Sequence, residues 1–389
     1  MTRLPAIERR KALKTIGAGI VGSATLTGSV TAGRGRGRGP KNVVEIEAGH
    51  KHDSDDPKWW LDIDKQEISG GWTTLKFDNQ TDHVHFGYMV KVSEAALSAD
   101  DTFNKPLVDF GPDPGDRGRW GEKWRNAVNI PFQDAWDPYY AGKTDVGGFV
   151  GGLLDGVADW FFAPGFAEAV GGPGFTGGGV TSKTTQYLDE GVYILECYVL
   201  DDEGRFHSPF GMVNHIKVTD EVGKATEPSA DIGVSIDNDG IEFGKENLKP
   251  GRYTVEITFK DNKLYDNFLG HDVQLLRNDD VEEGVLDYWM NYLDPDEDGF
   301  YSDPEGDGPR DPGALVSTHH DPGPETFLGG VQDVYAGEAD GFVEDEYPVT
   351  AYIDVTLTPG EYAWVAEVAD PEEKDMLVEF TVTPPGQGK

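Results

Sequence analysis

Short segments that alternate apolar with polar residues, bounded by glycine-rich turns, most strongly limit how this chain can fold. Trp60–Ile63 and Trp72–Phe77 alternate in this way on either side of a glycine pair, and Val192–Val199 and Val213–Val218 show the same pattern further along. Because successive side chains of a strand point to opposite faces, each segment has one apolar face to bury. The pattern predicts half-buried antiparallel strands and an all-β fold.

A faint internal repeat divides the chain into two halves. Leu188–Tyr193, with the sequence Leu-Asp-Glu-Gly-Val-Tyr, has a counterpart in Leu357–Tyr362, with the sequence Leu-Thr-Pro-Gly-Glu-Tyr. The second half also contains a hairpin signal, an Asn-Asp-Gly turn between Val234–Ile236 and Ile241–Phe243. A domain size of roughly 100–200 residues also favours two domains. We therefore expect two tandem Greek-key β-sandwiches.

Composition indicates the boundaries of these domains. The expected segments are an export signal at 1–32, a flexible leader at 33–57, a first domain at 58–219, a linker at 220–230, a second domain at 231–384 and a tail at 385–389. Within the first domain, residues 95–187 are rich in Gly, Ala and aromatic side chains. We interpret them as a long insertion rather than a set of strands, with short helices around Ser93–Ala99 and Phe149–Phe162.

The N-terminal residues predict export. Arg9-Arg10 precedes a mildly apolar run, Thr15–Val30, that is rich in Gly, Ala and Thr. This arrangement is typical of a twin-arginine signal peptide. A membrane anchor needs about 20 strongly apolar residues, and this run is shorter and richer in small residues. We expect a secreted, extracellular protein that does not itself span a membrane.

The formal net charge of −38 describes the medium in which the protein works. Nucleic acids and anionic membranes would be repelled by such a chain, so neither is expected as a partner. Molar salt shortens the screening length to about 3 Å, which makes the self-repulsion tolerable. We therefore expect a halophilic source, a haloarchaeon. With a single cysteine, the chain cannot form an internal disulfide.

That cysteine, Cys197, is followed by His207 after nine residues and by Met212 after four more. A further imidazole is available upstream from His83 or His85, whose side chains share a face if the segment is a strand. Two histidines and one cysteine with a weak axial methionine are the ligands of a blue-copper electron-transfer site. A lone buried cysteine is more often a small core residue, so the prediction depends on the whole set.

Two segments resemble the ligand segments of the cupredoxin family. Asn79–Met89 resembles its first-ligand strand, and Glu190–Met212 resembles its closing ligand loop. The Cys-to-His spacing is longer than in small plastocyanin-like carriers, and it is one residue longer than in the first domain of copper nitrite reductases. The resemblance implies two cupredoxin-like domains, with one type 1 copper in the first, held by Cys197, His207, Met212 and one of the two upstream histidines. It also implies a one-electron carrier that meets an extracellular or membrane-associated redox partner.

The second half lacks this ligand set. Ala366 stands where Cys197 stands in the first half, no histidine follows it, and only Met376 remains near the last loop. We therefore expect a degenerate domain without type 1 copper, in which His271 has a structural role.

Two other functions stay open. Nitrite reductases and multicopper oxidases need a second copper centre with additional histidines, and in the reductases one of these adjoins the ligand cysteine. Here that neighbour is Glu196, and His319-His320 lies in an acidic loop without a companion pair. A copper redox enzyme related to nitrite reductase is therefore the minor alternative, and a metal-free β-sandwich for surface adhesion or binding is the main one. His215 alternates with the apolar Ile216 and is expected at the surface.

A separate metal signal lies in the second half. Positions 1, 3, 5, 6 and 12 of a twelve-residue calcium loop are matched by Asp294, Asp296, Asp298, Gly299 and Glu305. Carboxylates at alternate positions around a glycine turn could wrap a hard cation. Against this, two prolines stiffen the loop, and an acidic chain produces the pattern by chance. The segment is a candidate calcium site.

Overall fold

The computed structural model of the chain describes residues 42–51, 58–92, 120–144, 146–157, 167–199, 205–245, 247–261, 271–279, 326–332, 337–338, 341–342, 347–368 and 371–384. Its strands are β1 (Asn42–Lys51), β2 (Lys58–Ile63), β3 (Glu67–Asn79), β4 (Tyr88–Val92), β5 (Ala167–Ala169), β6 (Thr181–Leu188), β7 (Gly191–Glu196), β8 (Val213–Val222), β9 (Ile232–Asp237), β10 (Gly240–Glu242), β11 (Asn247–Leu248), β12 (Gly251–Phe259), β13 (Val273–Arg277), β14 (Thr326–Val331), β15 (Gly337–Glu338), β16 (Gly341–Phe342), β17 (Val349–Leu357), β18 (Gly360–Val365) and β19 (Leu377–Val382). The helices are α1 (Trp120–Trp124), α2 (Ile130–Tyr140) and α3 (Val146–Gly156), with a π-helical turn at Arg125–Asn129 and a 3-10 turn at Ser208–Phe210. The expectation of an all-β fold is confirmed.

The long strand β3 bends at its glycine pair and so contributes to both layers of the first half. Residues Glu67–Gly70 pair in parallel with β8, and the rest of the strand, from Gly71 onward, pairs antiparallel with β6. Gly71 has a φ of 112°, a conformation that other residues rarely adopt. The bend therefore puts β8, β7, β4 and β5 in one layer and β6, β1 and β2 in the other.

The sheet of the first half continues into the second half. Strands β6 and β17 pair antiparallel, with Thr185 opposite Tyr352, and beyond β17 the order runs β12, β9, β10. A separate five-stranded sheet has the order β11-β19-β18-β13-β14. The hairpin expected between Val234–Ile236 and Ile241–Phe243 is confirmed, because β9 and β10 pair there. The domain boundaries themselves stay predictions.

Two apolar clusters form the core of the described residues. The first is built mainly from the first half, around side chains such as Phe77 and Leu195, and the second surrounds Trp364. Leu276 and Phe327 of the second half belong to the first cluster. The two halves are therefore packed against each other through apolar side chains as well as through β-pairing.

The expected flexible leader at 33–57 is wrong for residues 42–51, which form β1. This strand pairs in parallel with β3 and antiparallel with β2. Val44, Ile46 and Ala48 alternate along it and are almost fully buried. The acidic residues between them made the segment resemble a polar linker, whereas the period of two was already that of a strand.

The expected insertion at 95–187 is also wrong at its C-terminal end, where β6 is a central strand. All its buried residues except the last, Leu188, are polar, so hydrophobic alternation does not reveal it. Thr185 Oγ1 lies 2.8 Å from Thr74 Oγ1, and Thr184 Oγ1 donates to the carbonyl of Gly330 at 2.8 Å. These hydrogen bonds compensate for burying the hydroxyl groups.

The helical part of the insertion covers the sheet beside the 205–212 loop. Trp136 of α2 and Phe149 of α3 are buried, and Phe206 packs on the Trp136 ring at a centroid distance of 5.2 Å. The helix expected around Phe149–Phe162 begins earlier, at Val146, and ends at Gly156; residues 158–162 and the segment Ser93–Ala99 lie outside the described residues. Within the described part of the chain, no helix is long and apolar enough to cross a membrane.

Candidate metal centre

Three soft or borderline donor atoms meet in the interior of the first half. His85 Nδ1 lies 3.7 Å from Cys197 Sγ, His207 Nδ1 lies 3.8 Å from the same sulfur, and the two nitrogens are 3.2 Å apart. All three side chains are fully buried. Donors that surround one metal at about 2.0–2.3 Å are themselves roughly 3.3–3.8 Å apart. The triangle therefore has the size that a single shared metal ion requires.

The closing loop brings Cys197 and His207 together through backbone hydrogen bonds. Cys197 N donates to the carbonyl of Met212 at 3.1 Å, Met212 N donates to that of His207 at 3.2 Å, and His207 N donates to that of Val199 at 3.0 Å. His207 is thus paired with Val199, two residues beyond the cysteine, rather than directly opposite it. Met212 is fully buried next to both residues.

His85 is fixed by a bridge to the segment that precedes β6. Its N–H donates to the carbonyl of Thr176 at 3.1 Å, and Thr176 N donates back to His85 at 2.7 Å. Thr176 also forms a bridge with Leu328 of β14. The backbone of this histidine is therefore held between its own half and the second half of the chain.

The structure brings His85, and not His83, to the cysteine. Residues 81–83 form a bend rather than a strand, so the alternation that would put both imidazoles on one face does not apply. His83 instead lies near His50, at a ring-centroid distance of 5.2 Å, and its Nε2 is 3.4 Å from Asp82 Oδ1.

Burial determines the protonation of the cysteine. It raises the pKa of the Cys197 thiol to about 12, and the charges of Glu196 and Glu367 act in the same direction. The N–H groups of Phe86 and Val199 oppose the shift by donating hydrogen bonds to the sulfur. The thiolate thus needs a bound cation, because a metal ion displaces the thiol proton.

Trp59 forms one wall of the site, and sequence reasoning did not find it. Its ring stacks on His207 at a centroid distance of 4.0 Å and an interplanar angle of 24°. The same ring lies 5.4 Å from that of His85. Trp59 begins the predicted strand around Trp60, but nothing local to that strand indicates contact with a loop about 150 residues away in sequence.

Glu196 points away from the cysteine and connects the ligand strand to the helical insertion. Its Oε2 accepts hydrogen bonds from Trp124 Nε1 at 2.9 Å and from Asn129 Nδ2 at 2.7 Å. Burial raises the pKa of this carboxyl group to about 6, while both hydrogen bonds lower it. Glu196 faces away from Cys197 because neighbouring positions of a strand point to opposite sides. It is a buried residue that ties β7 to the helical insertion.

Two further histidines, His215 and His271, are both buried. The expectation that His215 is exposed is wrong, because α1 covers that face of β8 and Trp120 lies 5.2 Å from the imidazole. His271 is fully buried, and its Nε2 is 2.6 Å from Asp261 Oδ1. The candidate calcium residues, Asp294, Asp296, Asp298 and Glu305, and the pair His319-His320 lie outside the described residues.

No family model matches the chain, and no curated protein sequence matches it. Among solved structures, it is similar to auracyanin from Roseiflexus castenholzii, with 13% identity, 39% of this chain and 96% of that chain covered, and a TM-score of 0.21. The copper-containing nitrite reductase from Thermus scotoductus matches with 10% identity over 88% of this chain and 61% of that chain, at a TM-score of 0.19. A blue copper oxidase from Nitrosomonas europaea matches with 10% identity over 90% of this chain and 86% of that chain, at a TM-score of 0.18.

The resemblance to cupredoxins rests on features of this chain, since the two segments that resemble ligand segments, Asn79–Met89 and Glu190–Met212, meet in a two-layered β-structure. The fold is all-β, with a buried His-Cys-His cluster at the meeting point of those segments.

Proposed function

We propose that this chain is a secreted type 1 (blue) copper protein that carries single electrons. The observation that carries the proposal is the buried triangle of His85 Nδ1, Cys197 Sγ and His207 Nδ1, with separations of 3.2 to 3.8 Å. Two imidazoles and one thiolate are the trigonal ligands of such sites, and copper held by them supplies reversible one-electron chemistry. The residues therefore fit the metal in both donor type and size.

Met212 would supply a weak fourth ligand to the copper. Its backbone forms hydrogen bonds with both Cys197 and His207, which ties its position to theirs. The side chain is fully buried beside them. Cys197 Sγ additionally accepts hydrogen bonds from two backbone N–H groups, which orient the sulfur and, by analogy with other metal sites, tune the ligand.

Carriage of electrons is favoured over catalysis by the closure of the site. His85, Cys197 and His207 are all fully buried, so a substrate would have no direct access to the metal that they hold. A reductase would also need a second copper centre, and Glu196, at the position where the reductases have a histidine, is already bound by Trp124 and Asn129. An electron carrier, in contrast, only has to bring its metal close to a redox partner, and it does not require an open ligand position on that metal.

The proposed setting is the outside of a halophilic cell. The paired arginines Arg9-Arg10 before an apolar run support export by the twin-arginine route, and the net charge of −38 supports a working medium of molar salt. The partner is then an extracellular or membrane-associated redox protein whose contact surface tolerates this strongly acidic chain.

A copper titration of the purified chain in molar salt tests the proposal. We expect an intense thiolate-to-copper absorption band that saturates at one equivalent, and its complete loss in Cys197→Ser. The matched control is Ala366→Ser, which places a serine at the corresponding buried position of the second half and should keep the band. A chain that binds no copper, or binds it without the band, would refute the proposal and favour a metal-free binding module.

A further inference from the structure

A second cluster of metal-binding side chains lies beside the first. Asp82 Oδ1 is 3.4 Å from His83 Nε2 and 3.9 Å from His50 Nε2. The two imidazole rings are T-shaped, with their centroids 5.2 Å apart. One donor atom from each of the three residues lies within 4.8 Å of the others. Two nitrogens and one carboxylate oxygen thus converge on one point.

The dimensions and exposure of this cluster suit a divalent cation. Donors held at about 2.0–2.2 Å from one tetrahedral metal are roughly 3.3–3.6 Å apart, and the two separations from Asp82 Oδ1, 3.4 and 3.9 Å, are close to this value. The Asp82 side chain is 67% exposed, whereas those of His50 and His83 are 12% and 3% exposed. The imidazoles form the floor of a site that opens to solvent on the carboxylate side.

The backbone holds the two histidines in place before any ion binds. His50 is in register with Trp59 in the β1–β2 pair. The carbonyl of His83 accepts a hydrogen bond from Asn79 Nδ2 at 2.7 Å, and its N–H donates to Thr81 Oγ1 at 3.1 Å. A site with positioned ligands binds more tightly because less order has to be imposed on binding.

We propose that His50, Asp82 and His83 bind a second metal ion, a borderline divalent cation such as Zn²⁺ or Cu²⁺. Imidazole and carboxylate together suit these ions, and the absence of a thiol from the three ligands distinguishes the site from the His-Cys-His cluster. Trp59 separates the two sites, since its ring lies 4.9 Å from His50, 5.1 Å from His83 and 4.0 Å from His207.

A Co²⁺ titration of the full chain tests this proposal independently of the copper site. Cobalt at Cys197 gives an intense thiolate-to-cobalt band, whereas cobalt bound only by nitrogen and oxygen gives weak visible bands alone. We expect an equivalent of Co²⁺ without thiolate character, and at least a ten-fold weaker affinity for it in Asp82→Asn and in His50→Ala. Cys197→Ser should abolish the thiolate band and keep the other equivalent.

The control is Asp62→Asn, an exposed acid on the neighbouring strand β2 that should leave both signals unchanged. Asp82 is largely exposed, so its substitution does not threaten the fold, and circular dichroism checks the His50 variant. Binding that is unaffected by both substitutions would be general attraction to an acidic surface and would overturn the proposal. Absence of any equivalent without thiolate character would overturn it as well, whatever happens at Cys197.

Discussion

The two halves of the chain share a local framework and differ in the side chains placed on it. In the first half, the hydroxyl of Tyr193 donates to the carbonyl of Asp189 at 2.9 Å, and in the second half that of Tyr362 donates to Thr358 at the same distance. Each tyrosine reaches back four residues across the turn that opens its strand. The sequence repeat is therefore also a repeat of hydrogen bonding.

The correspondence extends to the end of the ligand strand. Cys197 N donates to Met212 O at 3.1 Å, and Ala366 N donates to Met376 O at 3.0 Å. Alanine, like cysteine, is fully buried at this position. The framework accepts either residue, so the difference between the halves shows that the candidate metal site depends on a few side chains and not on the fold.

The second half nevertheless supports the site. Gln274 Oε1 accepts a hydrogen bond from Phe175 N at 2.7 Å, and Gly174 N donates to Gly330 O at 3.1 Å. These contacts hold the segment whose Thr176 is bridged to His85. A half without the ligand set thus forms part of the wall that positions a ligand of the other half.

The largest expected effect is on copper affinity, when a proposed ligand histidine is removed and compared with an equally buried histidine of the second half. His85 and His271 are both fully buried, but only His85 faces the cysteine. We expect His85→Ala to lower copper affinity by at least about 100-fold, because loss of a ligand should exceed the 10–100-fold effects of outer-shell changes. His271→Ala should keep the copper band. Equal losses in both variants, measured by competition with a copper chelator, would contradict the assignment of His85.

A buried acid in the second half should make its stability depend on pH. Burial raises the pKa of Asp272 to about 7, although Gln274 Nε2 and Glu367 N donate hydrogen bonds to the carboxylate. The folded state therefore favours the protonated form, and this contribution is fully present below the unfolded pKa of about 3.9. It is lost as pH rises toward 7, by an amount on the order of a few kcal/mol.

Urea unfolding from pH 4 to pH 8 in constant molar salt measures this contribution. Asp272→Asn should flatten the decline in the free energy of unfolding over that range. A variant that follows the wild-type pH curve would show that another group causes the decline.

Weakening the contact between the two halves should lower the free energy of unfolding by less than the pH effect of Asp272. Gln274→Ala leaves the buried N–H of Phe175 without its acceptor and also removes the hydrogen bond that Gln274 donates to Asp272. An unsatisfied buried donor costs about 1–3 kcal/mol. We expect a lower free energy of unfolding by that amount. Gln80→Ala, at an exposed position, is the control and should change stability by less than about 0.5 kcal/mol. Similar values for both variants would show that the bridge contributes little.

The smallest expected effect is the difference in the free energy of unfolding between variants of the two tyrosines. Tyr362→Phe removes neutral hydrogen bonds at the turn and should cost about 0.5–1.5 kcal/mol. Tyr193→Phe should cost somewhat more, because its hydroxyl also donates to the Asp189 carboxylate at 2.6 Å, and bonds to charged groups are stronger. Denaturation of both variants under one salt condition measures the difference. A larger cost in the second half would contradict this ranking.

Local pattern was sufficient for the strands with an apolar face, for the β9–β10 hairpin and for the tyrosine turns, because neighbours in sequence cause each of them. It was insufficient for β6, whose buried residues before Leu188 are threonine, serine and glutamine, and for β1, whose acidic residues resembled a linker. Both strands are stabilised by partners distant in sequence, so a period of two among polar side chains becomes visible only when those partners are known.

The sequence by itself determined which residue types were available, namely one cysteine, a histidine and a methionine after it, two candidate histidines before it and no such set in the second half. Only the tertiary structure decided that His85 meets the cysteine, that Trp59 stacks on His207, that Glu196 turns to the helical insertion and that His83 joins His50 and Asp82. These outcomes depend on backbone bends at residues 81–83 and on contacts between segments separated by 30 to 150 positions. Spacing along a chain does not encode such distances, because a metal site is defined by the positions of its donor atoms in space.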